Sequence, residues 1–170
     1  MLSEKNTGFT LIELMLTLVV AVILVTVAIP GFRSLIQNNR SATQANELLT
    51  AFILARSEAV KRGSAISACA SSDQSTCAAS TNWATGWIVF TDDAGTAGVL
   101  DSTDVLIRAW GSLKGSPTLV GAANNVQYQP TGLVAATNTF TLTMPDCTGN
   151  QVQTININAV GSGHIGTSAC

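Results

Sequence analysis

A run from Phe9 to Ile29 constrains this chain more than any other feature. Its 21 residues are apolar except for Thr10, Glu13, Thr17 and Thr26. As a helix rising about 1.5 Å per residue, it spans roughly 31 Å, the thickness of a hydrocarbon core. A cleavable secretory signal is the plain alternative. It would have a positive start, a shorter apolar stretch and a small-residue cleavage site after that stretch. Here Lys5 is offset by Glu4, no A-x-A precedes Pro30, and the small residue, Gly8, stands before the run. An ordinary membrane anchor leaves Glu13 unexplained. A carboxylate inside lipid costs about 3 kcal/mol and so marks a function with a partner. That partner has to be positive. A cut after Gly8 would give Phe9 a free α-amino group, one helical turn from Glu13. A neighbouring copy shifted along the axis can bring its own amine to this carboxylate.

The rest of the chain reads as one domain. Its 170 residues suffice for a domain and an appendage. They are 46% hydrophobic and only 11% charged, against about 25% charged in ordinary soluble domains. The net charge of -2 exerts no general pull on nucleic acid or acidic membranes. Cys69, Cys77, Cys147 and Cys170 form no C-x-x-C, and His164 is the lone histidine. This pattern argues against zinc and for two disulfides, with the body outside the reducing cytoplasm. The simplest pairing is Cys69 with Cys77 and Cys147 with Cys170. Closing a loop of about 24 residues stabilises by roughly 3 kcal/mol in the chain-entropy account.

Beyond Pro30 and Gly31, where a proline invites a kink, the helix should continue. Ala45, Leu48, Leu49, Phe52, Ala55, Ala59 and Val60 recur at spacings of three and four, one apolar stripe of an amphipathic helix. Glu58 and Arg62 stand in the favourable order, and Gly63 supplies a stop. From Ser64 the texture changes to short β-prone runs: SAISACA, GWIVF, DVLIRAW, NVQYQ, NTFTLTM and QVQTINI, with turn residues between them. The fold class expected is α+β, a long N-terminal helix packed on a C-terminal antiparallel β domain. Its segments are a leader at 1–8, an apolar helix half at 9–29, an amphipathic half at 30–63 and a β-rich domain at 64–170.

A short polar leader ending in Gly8, then Phe9-Thr10-Leu11-Ile12-Glu13 and an apolar helix, resembles the class III signal of type IV pilins and type II secretion pseudopilins. The resemblance implies a prepilin peptidase that cuts between Gly8 and Phe9 and N-methylates the new terminus. It also implies that the apolar helix is kept, as an inner-membrane anchor and later as filament core. ARSEAVKRGSAISAC, followed by WATGWIVFTDDAGTAGVLDSTDVLIR, is similar to the GspH/FimT family of minor pilins and pseudopilins, and the likeness covers residues 1 to about 110. A type IV pilin fold is thereby implied, with the β domain in the periplasm. So is a role as a minor subunit that helps start assembly of a type IV pilus near its tip, or of a type II secretion pseudopilus. The implied partners are other minor pilins, the major pilin, the prepilin peptidase and the inner-membrane assembly platform. No cofactor is implied.

No nucleophile elbow or other catalytic spacing frames the serines, aspartates or His164, so an enzyme is not expected. GSGHIG (161–166) has the glycine spacing of a phosphate loop, but Thr167 stands where the lysine is required and no helix pattern follows. Asp92, Asp93, Asp101 and Asp104 form a weak calcium candidate. They depart from EF-hand spacing, and a solvated hairpin loop is the preferred reading. The alternative function is DNA uptake, since some FimT-like pilins are DNA receptors with two arginines in a basic C-terminal motif. Here VGSGHIGTSAC carries no Arg or Lys, and residues 64–170 hold two basic side chains against six aspartates. Duplex affinity comes mostly from neutralised phosphates, so DNA binding by this subunit alone is not expected.

Overall fold

The computed structural model describes residues 8–93 and 95–170; residues 1–7 of the expected leader lie outside them. Among the described residues, one helix, α1 (Leu11–Arg62), precedes eight strands. These are β1 (Ile66–Ala70), β2 (Trp87–Thr91), β3 (Leu106–Trp110), β4 (Thr118–Gly121), β5 (Asn125–Tyr128), β6 (Asn138–Thr143), β7 (Val152–Ile157) and β8 (Gly163–Ser168). A 3-10 turn at Trp83–Thr85 lies between β1 and β2. The chain divides into two compact units, one ending at Ile36 and the other Gln37–Cys170.

In the first unit, α1 is unbroken across Pro30 and Gly31. Proline removes one backbone hydrogen bond there, and the helix continues. At its far end, in the second unit, α1 stops at Gly63. This residue takes a φ of 66° and donates its N–H to Ala59 O at 3.0 Å, an αL cap that favours glycine. Lys61 and Arg62 in the last turn face the negative end of the helix dipole, and Arg62 bonds Glu58.

The second unit wraps two antiparallel sheets against the amphipathic part of α1. Their strand orders are β3-β2-β1-β5 and β4-β6-β7-β8. The buried stripe of α1 is Ala45, Leu48, Ala51, Phe52, Ala55 and Ala59. Two members of the expected stripe differ. Leu49 is only partly buried and Val60 is 56% exposed, since each lies about 100° round the helix from its buried neighbour. Small alanines let the helix approach the sheets, and Phe52 fills the gap. Its ring lies 5.8 Å from Trp83 and 4.9 Å from Phe140, and Trp83 meets Phe140 edge-on at 5.0 Å. The Trp83 indole N–H donates to Ala123 O at 2.9 Å. Helix, turn and second sheet thus meet in one aromatic cluster.

β1 and β2 are buried on both faces. Ile66, Ala68, Trp87 and Val89 face the main core. Cys69, Ile88 and Phe90 face a smaller one, flanked by Cys77, Leu100 and Ala109. Two strands depart from the sequence reading. β4 was not anticipated because Thr118–Gly121 is four residues long with a terminal glycine. β8 overlaps GSGHIG (161–166), which lies outside the β-prone runs of the sequence. It pairs with β7 over six residues, from Val152↔Ser168 to Ile157↔Gly163. Pairing with a strand already in place outweighs the poor β propensity of glycine.

Candidate functional site

The apolar helix is the first feature built for a purpose. From Phe9 to Ile36, seventeen large apolar side chains are about half or more exposed, among them Phe9 at 83%. At about 1.5–3 kcal/mol for a fully exposed side chain, seventeen at roughly 60% exposure cost on the order of 15–30 kcal/mol in water. The helix is long and apolar enough to cross a membrane, and its surface calls for lipid or other helices around it.

Glu13 sits in the first turn. Its Oε2 accepts from the Thr10 backbone N–H at 2.9 Å and the Thr10 hydroxyl at 2.8 Å. Thr10 Oγ1 accepts from the Glu13 N–H at 3.3 Å. This reciprocal pair is a capping box with Thr10 as N-cap and Glu13 at the third helical position, and it satisfies donors that a helix start otherwise leaves open. T-x-x-E is the sequence signature of this box, a role for Glu13 distinct from the amine pairing that its charge suggests. Gly8 is exposed with open space around it, and Phe9 extends beyond the cap, so the Gly8–Phe9 bond lies in non-helical chain.

In the second unit, Cys69 is bonded to Cys77 and Cys147 to Cys170, with Cα atoms 5.6 and 5.8 Å apart; no cysteine is free. The first bridge closes a loop organised by Asp73, a residue passed over in the sequence. Asp73 Oδ1 accepts from the amides of Ser75 (2.9 Å) and Thr76 (2.8 Å) and from the Ser71 hydroxyl (3.1 Å). Oδ2 accepts from the Thr76 hydroxyl at 2.7 Å. These donors, the Thr76 hydroxyl foremost, hold the Asp73 carboxyl well below the usual range. Its position two residues after Ser71 and just before Ser75 and Thr76 is an Asx-turn signal legible in the sequence. The second bridge ties the chain beyond β8 to the loop after β6, where Cys170 N–H donates to Gly149 O at 3.0 Å.

The four aspartates of the calcium candidate have separate duties. Asp92 is buried, and its Oδ2 accepts from the Ser67 hydroxyl, from Gly98 N–H at 2.8 Å and from the Gln127 amide at 2.6 Å. Asp93 accepts from Ala65 N–H at 3.1 Å. Asp101 accepts from the Thr103 hydroxyl and amide, which hold its carboxyl below the usual range. Asp104 accepts from Asp101 N–H at 3.0 Å. Burial first, then repulsion from Asp101, Asp92 and Asp93, pushes Asp104 upward. Among the described residues, no group of three or more His, Cys, Asp or Glu side chains is arranged to hold a metal ion. His164 is exposed on β8, opposite Asn156.

Comparison with known proteins agrees with this arrangement. The family model described as prokaryotic N-terminal methylation motif matches residues 5–29, the segment holding Gly8, Phe9 and Glu13. No curated protein sequence matches the chain. Two crystal forms of the type IV minor pilin FimU of Pseudomonas aeruginosa share the fold, with TM-scores of 0.60 and 0.56 at 19% identity. They align over 75% and 74% of this chain and 89% and 91% of theirs. A long N-terminal helix followed by antiparallel sheets is thus a type IV pilin fold. The family model described as Type II transport protein GspH matches residues 44–161, more than two thirds of the sequence, and the chain belongs to that family.

Proposed function

We propose that this chain is a minor subunit of a type IV pilus that helps to initiate assembly near the tip, or does the same for a type II secretion pseudopilus. The single observation that carries the reading is the exposed apolar helix joined to a disulfide-tied β body. Such a helix is held by lipid until neighbouring helices replace the lipid. In this reading the subunit waits in the inner membrane, its body in the periplasm, after a prepilin peptidase has cut between Gly8 and Phe9. Other minor pilins, the major pilin and the assembly platform are its partners.

Glu13 then has two roles, separable by experiment. In the isolated subunit it closes the capping box on Thr10. In the filament it pairs with the Phe9 amine, its own or a neighbour's, and holds the axial register in a low-dielectric setting where an ion pair is strong. Gln is an equally good third residue of a capping box but carries no charge. Glu13→Gln therefore keeps the cap and removes the ion pair, and Glu13→Ala removes both. The measurement is the ratio of variant to wild type in sheared filaments, at matched membrane levels. Reduced incorporation of both variants supports the register role; wild-type incorporation of Glu13→Gln refutes it. Intact mass of the membrane-extracted protein tests the processing step. The expected result is loss of the first eight residues and gain of one methyl. Retention of Met1 in cells with an active peptidase removes the filament reading itself.

A further inference from the structure

Three of the six basic side chains of the second unit, Arg40, Arg108 and Lys114, stand around one trough between α1 and β3. It consists of two adjoining cavities of about 690 and 580 Å³ that share Asn39, Thr43, Glu47 and Trp110 in their walls. Among the described residues, the ion pairs are those of Glu58 with Lys61 and Arg62; none of the three trough cations has a carboxylate within 4 Å. The Arg108 guanidinium lies over Trp110, 4.8 Å from the ring centre. That stacking leaves its N–H edge free for a carboxylate. Glu47 is the lone acid in the walls, so the trough carries a local excess of two positive charges in a chain of net charge -2.

The dimensions fit an extended chain. From Asn39 to Thr50 the helical wall is roughly 16 Å long at 1.5 Å per residue. The five residues of β3 span about the same length at 3.3 Å each. β3 is an edge strand of its sheet, and an edge presents unpaired backbone groups to any extended neighbour. The edges of β4 and β5 are met by bridges, Asn82↔Val120 and Tyr128↔Val134, and β8 carries no Lys or Arg. From the helical wall Gln44 donates to Lys114 O at 2.8 Å and so fixes the chain that follows β3 along the trough.

We propose that an extended acidic segment of a neighbouring subunit seats in this trough. Its backbone adds to β3 as a fifth strand, and its carboxylates meet Arg40, Arg108 and Lys114. Strand addition supplies affinity through main-chain hydrogen bonds, and the three cations select the segment. The inference rests on the reading of this chain as a filament subunit.

A photo-crosslinking residue at Thr43 or Asn46, both exposed on the helical wall, tests it in cells that assemble filaments from the full chain. Thr141, exposed on the second sheet, serves as the control. The expected adducts from Thr43 and Asn46 map to one contiguous Asp- or Glu-bearing stretch of another subunit, a stretch that Thr141 does not reach. Reversing the charges with Arg40→Glu and Arg108→Glu lowers that yield about tenfold or more, since like charges facing each other are strongly disfavoured. Arg108→Lys, which keeps the charge, retains most of the yield, and both variants keep wild-type membrane levels and no free thiol. Adducts to nucleic acid, adducts scattered over several segments, or yields indifferent to charge reversal overturn the inference. So does the lack of any adduct from a subunit that is present in the filaments, an outcome that leaves the filament reading standing. Absence of the subunit from the filaments removes both.

Discussion

Phe52→Ala tests whether the amphipathic part of α1 belongs to the core of the β body or merely lies beside it. Phe52 is 1% exposed, and its ring contacts both Trp83 and Phe140. Truncating a buried phenylalanine costs about 3–5 kcal/mol through lost transfer free energy and the cavity left behind. Two aromatic partners place this site near the middle or top of that range, so about 4 kcal/mol is expected. For a body of this size that corresponds to a fall of roughly 10–15 °C in Tm. Since domains are stable by only about 5–15 kcal/mol, the variant should be close to unfolding at growth temperature. The adjacent Ile53 is 59% exposed, and Ile53→Ala should change stability by about 0.5 kcal/mol or less. The assay is urea unfolding of the full chain in detergent micelles, disulfides intact, followed by tryptophan fluorescence. A second arm combines Phe52→Leu with Phe140→Leu, for which a coupling of about 1 kcal/mol is expected. A loss under about 1 kcal/mol for Phe52→Ala, or equal losses at residues 52 and 53, would refute the packing argument.

Gly121→Ala should destabilise the body by about 2 kcal/mol, because the new methyl meets the rings of Phe140 and Trp83 at 2.7 Å and overpacked cores resist such insertions; the midpoint of urea unfolding measures it. The Asp73 carboxyl is depressed in the folded chain, so its contribution to loop order is fully present above its unfolded pKa of about 3.9. That contribution is lost as pH falls through the lower folded value. The protection of the Ser75 and Thr76 amides, observed exchange taken relative to the intrinsic rate at each pH, should therefore hold constant down to about pH 4 and fall progressively below it, and in Asp73→Asn it should be low and independent of pH across that range. Protein recovered from the periplasm should show no titratable thiol under denaturing conditions, since all four cysteines are paired; two or more thiols per chain would contradict the bonding. Reducing the Cys147–Cys170 bridge should cost about 3 kcal/mol on the chain-entropy account, and the test is the change in unfolding midpoint of Cys147→Ser with Cys170→Ser.

Features whose cause is local or compositional are legible in the residues alone. An unbroken apolar run with one carboxylate requires a membrane or a bundle, whatever the body does. The three- and four-residue spacing from Ala45 to Ala59 needs only the helical period to become a buried stripe, and six of the eight strands carry their own β propensity. The capping box is equally legible, because Thr10 and Glu13 are three residues apart. Features built from distant residues were decided by the tertiary structure. β8 contains two glycines and an exposed histidine, and it exists because β7 offers a complete row of hydrogen-bonding groups. Asp92 belongs to a turn-rich stretch in sequence, yet the fold buries it and brings Ser67, Gly98 and Gln127 to one oxygen. The trough beside β3 joins Arg40 to Arg108 and Lys114 across about seventy residues of chain. No periodicity encodes such a meeting. Hydrogen bonds and charges act through space, and only the folded path of the backbone sets which residues share that space.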